Sequence, residues 1–203
     1  MSDYETVQQA GPWYPGGVLF ALGWTVLGSG ISATVFVSER HPGIVLRLYN
    51  AGMDQGWLRF IHWGYANGYA GTFTPRVMRV KRLQQGYAIA VMERLEHIGK
   101  EDGNIVSPFL WGYASRPQVE WERAERRWPG FTCFWKRMNY PSPAIDLSFN
   151  NVMVRGRQLV VTDPCFQPNE YGSTLSSPSF KRWTPARALR ADPIRCHNLA
   201  TLA

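Results

Sequence analysis

Asp146-Leu147-Ser148-Phe149-Asn150-Asn151-Val152-Met153-Val154, followed by Leu159-Val160-Val161-Thr162-Asp163-Pro164, is the stretch on which the reading of this chain turns. It contains an Asp, an Asn five residues on, two short runs of apolar residues and a second Asp. Gly156, between Arg155 and Arg157, supplies the tight reversal that makes the two apolar runs a β-hairpin. Such a hairpin joins the loop carrying Asp146 and Asn151 to the turn carrying Asp163. Two carboxylates and an amide oxygen suit a site where one carboxylate accepts a hydroxyl proton while the others hold a hard divalent cation against phosphate oxygens. The plainer alternative is that Asp146 caps a loop and Asp163 begins a turn before Pro164.

Two upstream segments bear on that choice. Leu27-Gly28-Ser29-Gly30-Ile31-Ser32-Ala33-Thr34-Val35-Phe36 reads as strand, glycine-rich turn, strand. The expectation is that Gly28 and Gly30 take backbone conformations closed to other residues and that bare N–H groups there approach phosphate oxygens. A dinucleotide-binding fingerprint needs a helix directly after its glycines. Here Val35-Phe36-Val37 and Ile44-Val45-Leu46-Arg47-Leu48-Tyr49 instead predict a second hairpin around residues 39–43. Further on, Tyr87-Ala88-Ile89-Ala90-Val91-Met92-Glu93-Arg94-Leu95 is an apolar strand with a charged exit, a pattern shared by many core strands.

The order of these segments resembles the protein-kinase-like superfamily, and more narrowly the small early serine/threonine kinases of podoviruses, which modify and shut down host transcription. The motifs that carry the resemblance are Leu27–Phe36, Ile44–Leu48, Ala88–Leu95, Ala144–Met153 and Val161–Pro164. Those phage kinases likewise have Asp-Pro in place of Asp-Phe-Gly and lack His-Arg before the catalytic Asp, as Ala144-Ile145 does here.

The resemblance implies an α+β, reduced two-lobed protein-kinase-like fold, with an antiparallel β-sheet N-lobe over 1–95, a small, mostly helical C-lobe over 96–166 and a Pro/Ser-rich tail over 167–203. It implies ATP and Mg²⁺ as cofactors, Asp146 as the catalytic Asp and Asn151 and Asp163 as metal ligands. Gly28, Ser29, Gly30, Ile31, Ser32, Ala33 and Val35 would cover the nucleotide, with Met92, Glu93 and Leu95 beside the adenine. It also implies a host protein as substrate or target, with the transcription machinery among the candidates, and location in the host cytoplasm.

The chain departs from the pattern at the phosphate-binding cation. Arg47 stands where these kinases carry lysine, and a planar guanidinium is not a conservative replacement for a compact ammonium. The alternative for Arg47 is an exposed residue at a hairpin edge. Between Leu48 and Thr74 the sole acid is Asp54, so the helix that should supply a Glu partner has none. A second function class therefore stands beside the enzyme: a pseudokinase that binds and inhibits a host protein without turnover. A third is a small-molecule kinase similar to aminoglycoside phosphotransferases, although those keep a His before the Asp.

Composition limits the remaining options. The 203 residues suffice for one sizeable core. No apolar run reaches the roughly 18 residues of a membrane span, and the apolar stretch Gly16–Thr25 lacks the basic start of a signal peptide. Cys133, Cys165 and Cys196 have no metal-site spacing, which suits free thiols in a reducing compartment. The net charge is +7, and with four lysines among 22 basic residues it is mostly arginine. Basic clusters at 76–82, 116–137 and 181–195 could attract acidic proteins or nucleic acid, but no nucleic-acid recognition motif accompanies them.

Helices are expected over 54–67, over Pro117–Trp128 and over Phe131–Met138, and strands over Val77–Leu83 and Tyr87–Met92. Glu96–Asn104 reads as a polar connection and Trp183–Leu189 as a short helix. Ser173, Thr174, Ser176, Ser177 and Ser179 are candidate modification sites in a polar linker.

Overall fold

The computed structural model describes residues 6, 15–30, 32–50, 55–83, 86–110, 117–139, 145–146 and 149–166. The chain forms two compact units: residues 1–55 with 76–94, and residues 56–75 with 95–203. The first passes to the second at Arg94–Leu95, and residues 56–75, which the sequence reading placed in the first lobe, group with the second. Ile31, Asp54, Ala144, Leu147, Ser148 and everything from 167 onward, including the stretch Trp183–Leu189 expected as a short helix and the Ser/Thr cluster, lie outside the described residues.

The first unit is built on a five-stranded antiparallel sheet. Its strands are β1 (Thr25–Ser29), β2 (Ala33–Val37), β3 (Ile44–Asn50), β4 (Val77–Arg82) and β5 (Tyr87–Glu93), in the order β1-β2-β3-β5-β4. Alternation assigns the faces. Phe36, Leu46, Leu48 and Ile89 cluster on one face with Leu19 and Trp24, all at most 2% exposed. Leu19 belongs to helix α1 (Pro15–Ala21), so the apolar stretch that is too short for a membrane span becomes a helix covering the sheet. Trp24 stacks on His41 with ring centroids 5.6 Å apart.

The second unit is mostly helical: α2 (Gln55–Ala66), α3 (Lys100–Leu110), α4 (Gln118–Arg127) and α5 (Phe131–Asn139). Its aromatic residues form a continuous packed layer. Phe73 stacks on Phe134 at 4.8 Å, and Phe131 stacks on Trp135 at 5.2 Å. Trp128 is buried and donates its indole N–H to the Arg157 carbonyl at 3.1 Å. Asp102 and Arg127 form a two-pronged ion pair at 2.5 and 2.8 Å, which raises the Arg127 pKa and ties α3 to α4.

Glu96–Asn104, expected as a polar connection, instead contains β6 (Glu96–His97) and the start of α3. Glu101 and Asp102 lie in the first turn of that helix, where carboxylates suit the helix dipole. The apolar residues that bury α3, Ile105, Val106, Phe109 and Leu110, all lie beyond that polar stretch. The polar surface of the first turn concealed the helix behind it.

Three small strand pairs complete the second unit. β8 (Val152–Arg155) and β9 (Gln158–Val161) form the expected hairpin, and β6 pairs with β8. β7 (Ile145–Asp146) pairs with β10 (Cys165–Phe166). The α+β class, with an antiparallel sheet first and a mostly helical second part, agrees with the reduced protein-kinase-like fold expected from the sequence. No described helix is long and apolar enough to cross a membrane.

Candidate functional site

Asp146, Asn151 and Asp163 all belong to the second unit, where two independent pairings bring them together. In the β7–β10 ladder Asp146 lies directly opposite Cys165. Asp163 precedes Cys165 by two residues, so its Cα lies at most about 7 Å along the chain from that partner. At the neck of the hairpin, the Thr162 N–H donates to the Asn151 carbonyl at 2.8 Å, and Val152 faces Val161. Asn151 therefore adjoins Thr162 and, one residue on, Asp163. The hairpin is closed by Gly156 at φ +57°, a conformation that suits glycine at the first turn position. Val152, Leu159, Val160 and Val161 are at most 1% exposed, so the polar residues at its neck sit on a buried apolar base.

Arg155, which the sequence reading did not single out, holds this hairpin to the loop after α2. Its guanidinium donates to the carbonyls of Gly71 at 2.6 Å, Thr72 at 3.2 Å and Thr74 at 3.4 Å. The Val161 N–H donates to the intervening carbonyl of Phe73 at 2.8 Å. A planar fork of donors suits such a cluster of carbonyls. Nothing in the strand pattern distinguishes Arg155 from an ordinary surface arginine, because its partners lie some eighty positions away in sequence.

In the first unit, the register places Val35, Arg47 and Ala90 side by side across three strands, with Val45 opposite Met92 on the same face. Arg47 is 6% exposed and Met92 is also 6% exposed. This corrects the alternative that Arg47 is an exposed residue at a hairpin edge, because β3 is a central strand flanked by β2 and β5. Helix α2 carries no Asp or Glu, so the acid missing from the sequence pattern is not supplied there. Glu93 lies at the end of β5, where its carboxylate accepts the Arg76 N–H at 2.6 Å. The Arg94 N–H donates to the Gly43 carbonyl at 3.0 Å, and Leu95, 9% exposed, begins the second unit.

The turn between β1 and β2 closes with the Gly30 N–H donating to the Ala33 carbonyl at 2.8 Å. The Ser29 and Thr34 hydroxyls lie 3.0 Å apart. Contrary to expectation, neither Gly28 nor Gly30 has a positive φ. A Cβ at Gly28 would meet nothing within 4 Å, and one at Gly30 would meet only the Ala33 carbonyl at 3.9 Å. The backbone does not require glycine at either position. What glycine leaves there is open space over exposed strand and turn residues.

The donor set suits Mg²⁺. That ion takes oxygen ligands and usually draws most of its shell from water and phosphate, needing one or two protein groups. Asn151 and Asp163 offer an amide oxygen and a carboxylate. Among the described residues no three His, Cys, Asp or Glu side chains come together, so nothing there resembles a closed zinc or calcium cage.

No family model matches the chain, and no curated protein matches it. Among solved structures it is similar to a thermostable mutant of aminoglycoside phosphotransferase APH(4)-Ia in ternary complex with AMP-PNP and hygromycin B. The identity is 16% over 43% of this chain and 29% of that chain, with a TM-score of 0.31. It is also similar to Rad53 1–466 in complex with AMP-PNP, at 13% identity over 71% of this chain and 38% of that one, with a TM-score of 0.40. The chain thus spans between a quarter and two fifths of the length of these solved proteins. Likeness at this level leaves the functional reading to the residues of the chain itself.

Proposed function

We propose that the chain is an ATP- and Mg²⁺-dependent phosphotransferase, a phage serine/threonine protein kinase acting on host proteins in the host cytoplasm. The observation that carries the reading is the β7–β10 pairing. Together with the Thr162–Asn151 hydrogen bond, it gathers Asp146, Asn151 and Asp163 from eighteen residues of chain into one neighbourhood.

In this reading Asp146 accepts the proton of the attacking hydroxyl, and Asn151 and Asp163 hold the metal. The bound metal supplies charge neutralisation at the nucleotide phosphates. In the first unit the reading assigns the backbone of Gly28–Ala33 to nucleotide phosphates, Val35 and Met92 to apolar contact with a base and Glu93 to its edge, and it gives Leu95 the same task. Arg47 supplies the cation that lysine supplies elsewhere. Phosphoryl transfer demands chiefly positioning and charge stabilisation, and these groups offer both. The phage assignment is supported by Asp163-Pro164 and by Ala144-Ile145 before Asp146. The transcription machinery is the proposed class of target.

The test is transfer of label from γ-labelled ATP to protein. Asp146→Ala and Asp163→Ala should each abolish it with the thermal melt unchanged, and transfer that survives both changes refutes the site. A second reading is favoured by the buried Arg47 and the acid-free helix α2: a pseudokinase that binds its partner without turnover. Nucleotide-induced shifts in melting temperature separate the two. A Mg²⁺-dependent shift accompanied by labelling supports the enzyme, and a nucleotide-insensitive melt supports the binder.

A further inference from the structure

Helices α4 and α5 enclose an open cleft of about 370 Å³ that the proposed function leaves unused. Gln118, Trp121, Glu122, Glu125 and Arg126 line it from α4 at the three- and four-residue spacing of one helix face. Thr132 and Lys136, four residues apart, line it from α5. The charges in the cleft are unevenly committed. The Glu125 carboxylate accepts the Gly130 N–H at 2.6 Å and the Thr132 N–H at 2.8 Å, so it is turned to the start of α5. The Glu122 carboxylate accepts the Gln118 amide at 3.3 Å. Among the described residues neither Arg126 nor Lys136 has an acid partner, and both are exposed. Lys136 instead holds its ammonium over the Trp121 ring, 5.4 Å from the centroid. Trp121 is partly buried and is held by Phe109, edge to face at 4.7 Å, and by Phe131 at 6.5 Å.

We propose that this cleft binds a small aromatic anion whose acidic group is carried directly on the ring. The indole supplies an apolar surface for the ring, and two cations without acid partners supply the charge complement. The volume suits a small molecule, in which one ring and a few polar atoms fill the space. The short step from Trp121 to Lys136 selects among anions. A ring lying against the indole brings a directly attached phosphate or carboxylate to the ammonium, whereas a phosphate held away by a sugar overshoots it. Glu122, exposed in the same cleft, repels such a ligand and holds its affinity to a moderate value. The inference is independent of the phosphotransfer reading.

Isothermal titration of the full chain with phenyl phosphate in EDTA tests it. The expected result is saturable binding at one site, with a Kd of about 1 mM or tighter. Phenol lacks the anion and methyl phosphate lacks the ring, so each should bind roughly tenfold more weakly. Arg126→Gln and Lys136→Gln, both at exposed positions, should each weaken phenyl phosphate binding about three- to tenfold with the melt unchanged. Glu122→Gln should tighten it about twofold or more. Arg123→Gln removes a charge from an exposed position of α4 outside the cleft and should leave binding intact. Trp121→Leu should erase the preference for phenyl over methyl phosphate. Should that variant melt early, the Arg126 and Lys136 variants still decide the matter. The inference is overturned if phenyl phosphate fails to bind, or if phenol or methyl phosphate binds equally well. Unchanged binding in both cation variants or an equal loss in Arg123→Gln would also overturn it. So would tighter binding of a glycine-flanked phosphotyrosine peptide, which would give the cleft to a protein partner.

Discussion

Two hairpins in this chain turn on glycine for opposite reasons. In β8–β9, Gly156 sits at φ +57° on a buried apolar base, and the backbone itself demands it. In β1–β2, Gly28 and Gly30 have ordinary φ angles, β1 is exposed throughout, and a side chain at Gly28 would meet empty space. The first glycine is explained from inside the fold. The other two are not, and a ligand that must approach the bare backbone is the explanation the proposed function offers. A glycine motif therefore becomes a functional signal where the structure fails to require it.

The largest test of this contrast is chemical. Asp146→Asn keeps the shape of the side chain and removes the carboxylate to which the proposed function assigns the hydroxyl proton. Transfer should fall roughly a hundred- to ten-thousand-fold, while melting stays at the wild-type temperature. A comparable fall in stability would place Asp146 among the structural residues.

Next comes the anchor of the rigid hairpin. Arg155→Ala removes the guanidinium from the Gly71, Thr72 and Thr74 carbonyls, of which Thr74 keeps the Gly71 N–H, and should lower stability by about 1–3 kcal/mol in urea unfolding. An unchanged midpoint would show that the loop is held without it.

Smaller still, Gly156→Ala should cost about 1 kcal/mol, because an alanine resists the left-handed turn. Its counterpart, Gly28→Val, should leave stability unchanged yet raise the KM for ATP roughly tenfold, about 1.4 kcal/mol. If Gly28→Val destabilises while Gly156→Ala does not, the contrast between the hairpins is reversed.

The smallest effect concerns His62 on α2, in the same unit as the rigid hairpin. Burial lowers its pKa below 6.5. The folded chain then takes up the proton less readily than the unfolded one. Stability is complete above pH 6.5 and declines as pH falls from there toward the folded-state pKa. Urea midpoints measured against pH should show that decline, and His62→Gln should flatten it.

Much of the architecture was legible in the sequence because its signals are local. Alternating apolar residues marked β2, β3, β5, β8 and β9, and Gly156 marked the tight turn. The helices α2, α4 and α5 lay within a residue or two of their expected positions. Helix α3 escaped because its polar first turn reads as a loop, and α1 because seven residues carry too little periodicity. The separation of Asp146, Asn151 and Asp163 along the chain was visible too, and it suggested the chemistry.

By itself, then, the sequence determined which residue types were available for phosphate and metal chemistry and which strands would alternate. Tertiary structure alone decided that Asp146 lies opposite Cys165, that Arg47 is buried on a central strand and that Arg155 holds a loop some eighty residues away. It also showed that Gly28 and Gly30 are not required by the backbone. The physical reason is range. Propensity and periodicity act between near neighbours, whereas pairing register, burial and the open space above a turn depend on what distant segments place there.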